Sequence, residues 1–234
     1  MSEFIVQSTF FGVVLSFFAY MLFYVIKEKC KIKTPLFNPL LLSSTLIIVL
    51  LSVTGIEFED FNRYAEGTLT YWLTPVTICL AIPLYRRVKE LKNNLPAILI
   101  SIFFGCLGHV FVLVGIGACV KLSPVLLHSV MPKSVTTAIA LALSEKIGGI
   151  PAVTVACLTV AGMSGAVLGP TLLKWFKIKE PVAQGLAIGT ASHAVGTSKA
   201  MEMGEIQGAM SSLAIVVTGI LTVIVVPIVT SIFG

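Results

Sequence analysis

Residues 95–120, LPAILISIFFGCLGHVFVLVGIGACV, contain no acidic or basic side chain apart from His109. A helix needs roughly 20 apolar residues to cross a bilayer, so this run predicts a spanning helix. Similar runs cover about 4–26, 36–55, 69–85, 150–174 and 206–232. Only 12% of the residues are charged, whereas a soluble domain carries about 25%. So little polar surface cannot cover a water-facing globule. The expected fold class is an all-α polytopic membrane protein, with about six full transmembrane helices in a single integral membrane domain over 1–234. The first run is too long for a signal-peptide core and has no basic residues before it, so it reads as a retained helix.

Two further segments do not read as simple spans. In 123–147, SPVLLHSVMPKSVTTAIALALSEKI, Pro132 removes a backbone donor in the middle and should break the helix. In 182–203, Gly185, Gly189 and Gly196 lie among polar residues, which disfavours one continuous helix. Charge bias fixes how the chain threads. The basic stretches 27–33, 86–92 and 174–179 prefer the cytoplasm, and the acidic stretch 56–67 then reads as an outside loop. On that count 123–147 begins and ends on one side, as a re-entrant hairpin folded at Pro132 and entering from outside. The segment 182–203 becomes a second hairpin, entering from inside. The alternative is eight spans, with both segments crossing as broken helices. Two broken segments entering from opposite faces is a plan shared by many secondary transporters built as inverted repeats, and an inverted repeat is compatible with this order.

The net charge of +5 does not point to nucleic acid, because the positive charges sit in short clusters between apolar runs. Cys30, Cys79, Cys106, Cys119 and Cys157 form no CxxC pair and read as unpaired thiols. There is no nucleophile elbow, HExxH, phosphate loop or metal-ligand spacing. The chain is read as no enzyme, with no cofactor and no metal. Gly162, Gly165 and Gly169, and the pair Gly185 and Gly189, make small-residue stripes that let helices approach closely in lipid. Packing within one protomer is the plainer reading of these stripes, and dimerisation the other.

The broken segments also hold most of the intramembrane polarity. Irregular backbone at membrane depth survives only where protein buries it or where it lines a water-filled cavity. The first segment offers Lys133, Ser134, Thr136 and Thr137, and the second offers Thr190, Ser192, His193, Thr197, Ser198 and Lys199. Backbone donors at a half-helix start, hydroxyls and an ammonium suit a small carboxylate. We therefore take Lys133, Ser134, Thr136, Thr137, Ser192, His193, Thr197 and Lys199 as candidate substrate-binding residues. His193 is a candidate carrier of a coupling proton. Lys199 has a plainer reading as the partner of Glu202, and Glu202 and Glu205 read as loop residues. His109 reads as a packing residue, and Asn38 as a cap or a lining residue.

The motifs PKSVTT (132–137), GGIPAV (148–153) and GTASHAVGTSKA (189–200), with NPLLLSS (38–44) and LAIPLYRR (80–87), make the chain resemble the LrgB/CidB family from the second span to the C-terminus, and its length matches a whole family member. The family often reads PKSVTTPIA, and here Ala138 stands in the place of the second proline, which would soften the kink. The resemblance implies a multi-pass protein of the bacterial cytoplasmic (inner) membrane. It also implies two functions. One is an antiholin-like regulator of murein hydrolase activity and lysis, working with a small LrgA-like membrane partner. The other is transport, because a related plastid domain is a glycolate/glycerate translocator and some bacterial pairs are linked to pyruvate uptake. The expectation is a secondary transporter of small monocarboxylates of the glycolate, glycerate, pyruvate or lactate class, with proton coupling compatible. Its expected partners are the carboxylate, the lipid bilayer, an LrgA-like protein and further copies of itself in a homo-oligomer.

Overall fold

The structure, a computed structural model, describes residues 8, 10–32, 37, 39–79, 81–86 and 88–233. Pro35, Asn38 and the first residues of the expected 4–26 span lie outside these. The described residues are helical, with no strand among them. The chain divides into two compact units, 1–79 and 80–234.

The first unit contains α1 (Phe11–Lys29), α2 (Pro39–Thr54) and α3 (Phe58–Cys79). Helix α1 packs on both α2 and α3. Gly12 makes the second contact close, since a Cβ there would overlap Ala65, and Phe11 meets Phe61 edge-on at 6.3 Å. The acidic stretch expected as a loop is helical from Phe58 onward. Glu59 and Asp60 occupy the first turn of α3, where the positive end of the helix dipole favours carboxylates. Charge there marks a helix start rather than a loop.

The second unit contains α4 (Ala81–Arg86), α5 (Val88–Cys119), α6 (Pro124–Val130), α7 (Thr137–Lys146), α8 (Pro151–Trp175), α9 (Pro181–Met203) and α10 (Glu205–Phe233). The expected span 69–85 is thus divided between α3 and α4, and most of the basic stretch 86–92 is the start of α5. Among the described residues, four helices are long and apolar enough to cross a membrane: Phe11–Lys29, Asn94–Cys119, Pro151–Trp175 and Glu205–Ile232. Helix α2 is apolar but has only 16 residues.

The segment 123–147 is a hairpin. Its arms α6 and α7 have 7 and 10 residues, about 10 and 15 Å at 1.5 Å per residue, so neither can cross a hydrocarbon core of about 30 Å. The first arm runs back along α5: Leu127 sits against Gly117, Met131 clusters with Val110, and Ser134 reaches His109. The second arm returns along α8: Ala140 clusters with Leu158, and Ser144 bonds to Thr154. The turn occupies 131–136, with bonds from Lys133 N to Val130 O at 3.2 Å and from Val135 N to Pro132 O at 3.4 Å. Ala138 lies beyond that turn, so the missing proline leaves the break in place.

Helix α9 also folds back on itself. His193 has φ 42° and ψ −139°, outside any helical region. A Cβ on Gly196 would stand 2.9 Å from Ile188 Cγ2, although a straight helix separates residues eight apart by about 12 Å. Helix α10 records the reversal. Gly185 and Gly189 lie against Gln207 and Ser211, and on the return Thr197 meets Ser211 and Met201 meets Gly208. The arms 181–192 and 194–203 therefore enter and leave at the same face. This second hairpin is inserted between the end of α8 and the start of α10, and the first between the end of α5 and the start of α8. Because α8 crosses between them, the hairpins enter from opposite faces. Two re-entrant hairpins replace the eight-span alternative. The starts of α5 and α9 also share a face, with Asn94 and Glu180 lining one cavity, so the basic stretches 88–92 and 174–179 are on the same side, as the charge bias demands.

The stripe Gly185 and Gly189 is filled from within the chain: a Cβ at Gly189 would overlap the Ser211 carbonyl and stand 2.8 Å from Ala214 Cβ. Gly189→Leu should therefore lower the melting temperature of the purified protein by an amount matching about 1–3 kcal/mol or more of overpacking. Gly108→Leu, with open space around the site, should melt like the parent in the same detergent.

Candidate functional site

The two hairpin tips meet at the middle of α8. Leu158 joins them: its side chain clusters with Val135 and Ala140 of the first hairpin, and its carbonyl accepts a hydrogen bond from His193 Nε2–H of the second at 3.1 Å. That bond places a proton on Nε2. The glycines of α8 make the approach feasible. A Cβ at Gly162 would stand 2.7 Å from His193 Nε2, and one at Gly165 would overlap the Ser192 side chain. The Thr197 hydroxyl donates to the His193 carbonyl at 2.9 Å and lies 2.7 Å from Ser211 Oγ. The ring and its backbone are thus held from three sides. Holding a non-glycine residue at positive φ costs about 1–3 kcal/mol and persists only where the surroundings over-determine it.

The first hairpin is held by hydroxyls. Ser129 Oγ accepts from the Ile150 amide at 2.7 Å, and Thr154 Oγ1 lies 2.8 Å from the Ser129 carbonyl and 2.7 Å from Ser144 Oγ. Ser129, Ser144 and Thr154 are fully buried, and their mutual bonding offsets the desolvation of each. At the tip, Met131, Ser134 and Val135 are buried, while Lys133 is half-buried.

A cavity of about 650 Å³ runs between α5 and the first arm of α9. It starts at Asn94 and Glu180, passes Ser101, Gly105 and Thr190, and ends on His109, Lys133 and Ser134. Ser134 Oγ lies 3.4 Å from His109 Nε2. A second cavity, about 380 Å³, lies between α8 and the same arm, and it too ends on Lys133. The Lys133 side chain makes no hydrogen bond or ion pair among the described residues. A half-buried cation with hydroxyl and imidazole neighbours and no fixed counter-charge can hold a small anion by charge-assisted hydrogen bonds. Among the described residues, the one carboxylate lining these cavities is Glu180, and it lies at the exposed end.

Of the residues expected from sequence, Lys133 and Ser134 line the first cavity and Lys133 and Ser192 the second. The others stand elsewhere. Thr136 is the N-cap residue of α7 and Thr137 its exposed first residue. His193 and Thr197 are buried behind the tip, where they maintain its shape. Lys199 pairs with Glu202 at 2.6 Å, which is the plainer of its two readings. Glu202 lies in the last turn of α9 rather than in a loop, and Glu205 opens α10, 4.0 Å from Arg86. Sequence reasoning took His109 for a packing residue and passed over its stripe. Asn94, Ser101, Gly105 and His109 recur at intervals of seven, four and four, which puts them on one face of α5. Small and polar residues at that period in an apolar helix were the available signal.

The LrgB-like family matches residues 16–232. The chain belongs to the LrgB-like family. Two relatives are the antiholin-like protein LrgB of Bacillus cereus (strain B4264) and that of Bacillus anthracis (strain A0248). Each is 39% identical over 221 residues, covering 94% of this chain and 95% of the relative. No solved structure matches it. The matched region contains both hairpins and both cavities, so the site described above lies within the family's own fold.

This placement predicts a labelling pattern. In a cysteine-free background, Lys133→Cys and Thr190→Cys should react with a membrane-impermeant maleimide added to the face that carries Asn94 and Glu180. Thr197→Cys, on a fully buried position, should stay unlabelled until the protein is denatured.

Proposed function

We propose that this chain is a secondary carrier of small monocarboxylates of the glycolate, glycerate, pyruvate or lactate class, working in the bacterial cytoplasmic membrane. The observation that supports this reading best is Lys133. An unpaired Lys at mid-membrane costs about 2.5–3.5 kcal/mol on insertion scales. Packing alone gives no return for that cost, whereas an anion arriving along the cavity does. The carboxylate would sit on the Lys133 ammonium and the Ser134 hydroxyl. His109 and Thr190 would face its α-oxygen. Where a proton travels with the substrate, His109 is the better candidate than His193, because it lines the cavity while the His193 Nε2–H is engaged by Leu158.

A second reading has its own support. The relatives are named antiholin-like, and on that reading the chain regulates murein hydrolase activity and lysis by assembling with an LrgA-like partner. Small-residue faces would be its natural docking surfaces, but those of α8 and α9 are occupied from within. Gly162 and Gly165 seat His193 and Ser192, and Gly185 and Gly189 seat α10.

Uptake of labelled glycolate, glycerate, pyruvate and lactate into proteoliposomes, with and without a pH gradient, separates the two. Saturable uptake that falls about tenfold or more in Lys133→Ala, the loss expected for a charged hydrogen-bond partner, is the outcome expected of a carrier. Full uptake by Lys133→Ala would remove Lys133 from the site. An absence of uptake by folded protein supplied with its partner would favour the assembly regulator.

A further inference from the structure

The two cavities differ in chemistry, and they adjoin. Both are bounded by Lys133 and by Ala187 and Ala191, which stand one turn apart on the first arm of α9. These methyl-sized side chains of the arm are common to the walls of both spaces, as is Lys133. The first cavity presents His109, Ser134 and Thr190 to that point. The second presents Gly165, Leu168, Gly169, Leu172 and Ile188 beside Ser164 and Ser192, a mostly apolar lobe that begins at Lys133 and has Leu168 and Leu172 as its exposed outer wall. A carboxylate on Lys133 therefore has a polar side for an α-oxygen and an apolar side for a hydrocarbon tail.

We infer that the apolar lobe is a tail-binding subsite, and that the preferred ligands are 2-hydroxy or 2-oxo monocarboxylates with a side chain of three to four carbons rather than the two- and three-carbon acids alone. The inference rests on the carboxylate reading of Lys133 and extends it. The lobe, at about 380 Å³, exceeds what a methyl group needs. Ligand pockets of roughly 300–1,000 Å³ hold whole small molecules. Gly169 keeps the lobe wide. A Cβ there would stand 3.6 Å from Ile188 Cγ1, an ordinary contact, so the position tolerates a side chain and the lobe would narrow. Gly165 differs, since a Cβ there would collide with Ser192.

The test is a homologous series of 2-oxo acids with two to six carbons. Each is measured as an inhibitor of labelled pyruvate uptake in proteoliposomes, and as a ligand that raises the melting temperature of the protein in lipid nanodiscs. Burying each added methylene should tighten binding about fourfold, up to five or six carbons. Gly169→Val should flatten that dependence, and Ser164→Leu, at another wall of the lobe, serves the same purpose should the first variant fail to fold. A flat dependence in the parent, with pyruvate still transported, overturns the lobe and leaves the carrier standing. A chain-length dependence in melting temperature without any transport supports the lobe and overturns the carrier. Equal binding of hexanol and the six-carbon acid overturns the lobe as part of an acid site, because Lys133 would then play no part. No binding of any acid overturns both.

Discussion

In a bilayer core no water is available to a broken helix, so each freed amide and carbonyl must be met by protein or by a cavity. That constraint shapes the second unit. Both hairpins interrupt their helices at membrane depth, and both bring the interruption to the same few residues of α8. The Leu158 carbonyl serves the second tip and the Leu158 side chain packs against the first. Thr154 and Ser129 satisfy the backbone where the first hairpin's arms meet α8. Glycine is needed at 162 and 165 because the second tip lies directly on that helix. The run of small residues in α8 thus follows from the need to bury irregular backbone.

The same burial creates the chemistry. A tip that turns within a few residues leaves one long side chain facing outward, and here that residue is Lys133. Among the described residues that line the cavities, hydroxyls and an imidazole stand near it, and the one carboxylate, Glu180, lies at the exposed end. The polarity of GTASHAVGTSKA divides accordingly. Thr190 and Ser192 line the cavities, while His193 and Thr197 hold the turn in its unusual conformation. Lys199 returns to the membrane edge with Glu202.

Much of this was legible in the sequence, for identifiable reasons. Pro132 and the glycines of 182–203 announce where helices fail, and basic loops on one side favour hairpins over the eight-span threading. The acidic stretch at 56–67 misled because a carboxylate cluster suits an outside loop and a helix N-terminus equally well, and only packing decides between them. Thr197 and Lys199 do not line the cavities, and the sequence could not show this, because a polar residue that builds a tip and one that faces a cavity look alike in a one-dimensional pattern. His109 was hidden by its neighbours. It stands alone in an apolar run, and its role depends on Ser134, 25 residues away, being folded back onto it.

The two hairpins are equally buried at their tips but unequally free. The first has a network of three fully buried hydroxyls tying its arms to α8, and Met131, Leu143 and Val226 close the space around it. Displacing it would break hydrogen bonds in a medium that offers no replacement. The second hairpin rests on α10 mainly through close backbone-to-glycine contacts, with one buried hydroxyl bond, Thr197 to Ser211 at 2.7 Å, on its return arm. At its exposed end the Gln184 and Gln207 side chains bond at 3.1 Å, where water can substitute for either. Its first arm also has a cavity on each flank. Closely packed interiors resist movement because every shift opens a void elsewhere, and an arm with space on both sides is exempt from much of that cost. Lys133 is therefore held by the hydroxyl-tied hairpin, and access to it is bounded by the first arm of the other.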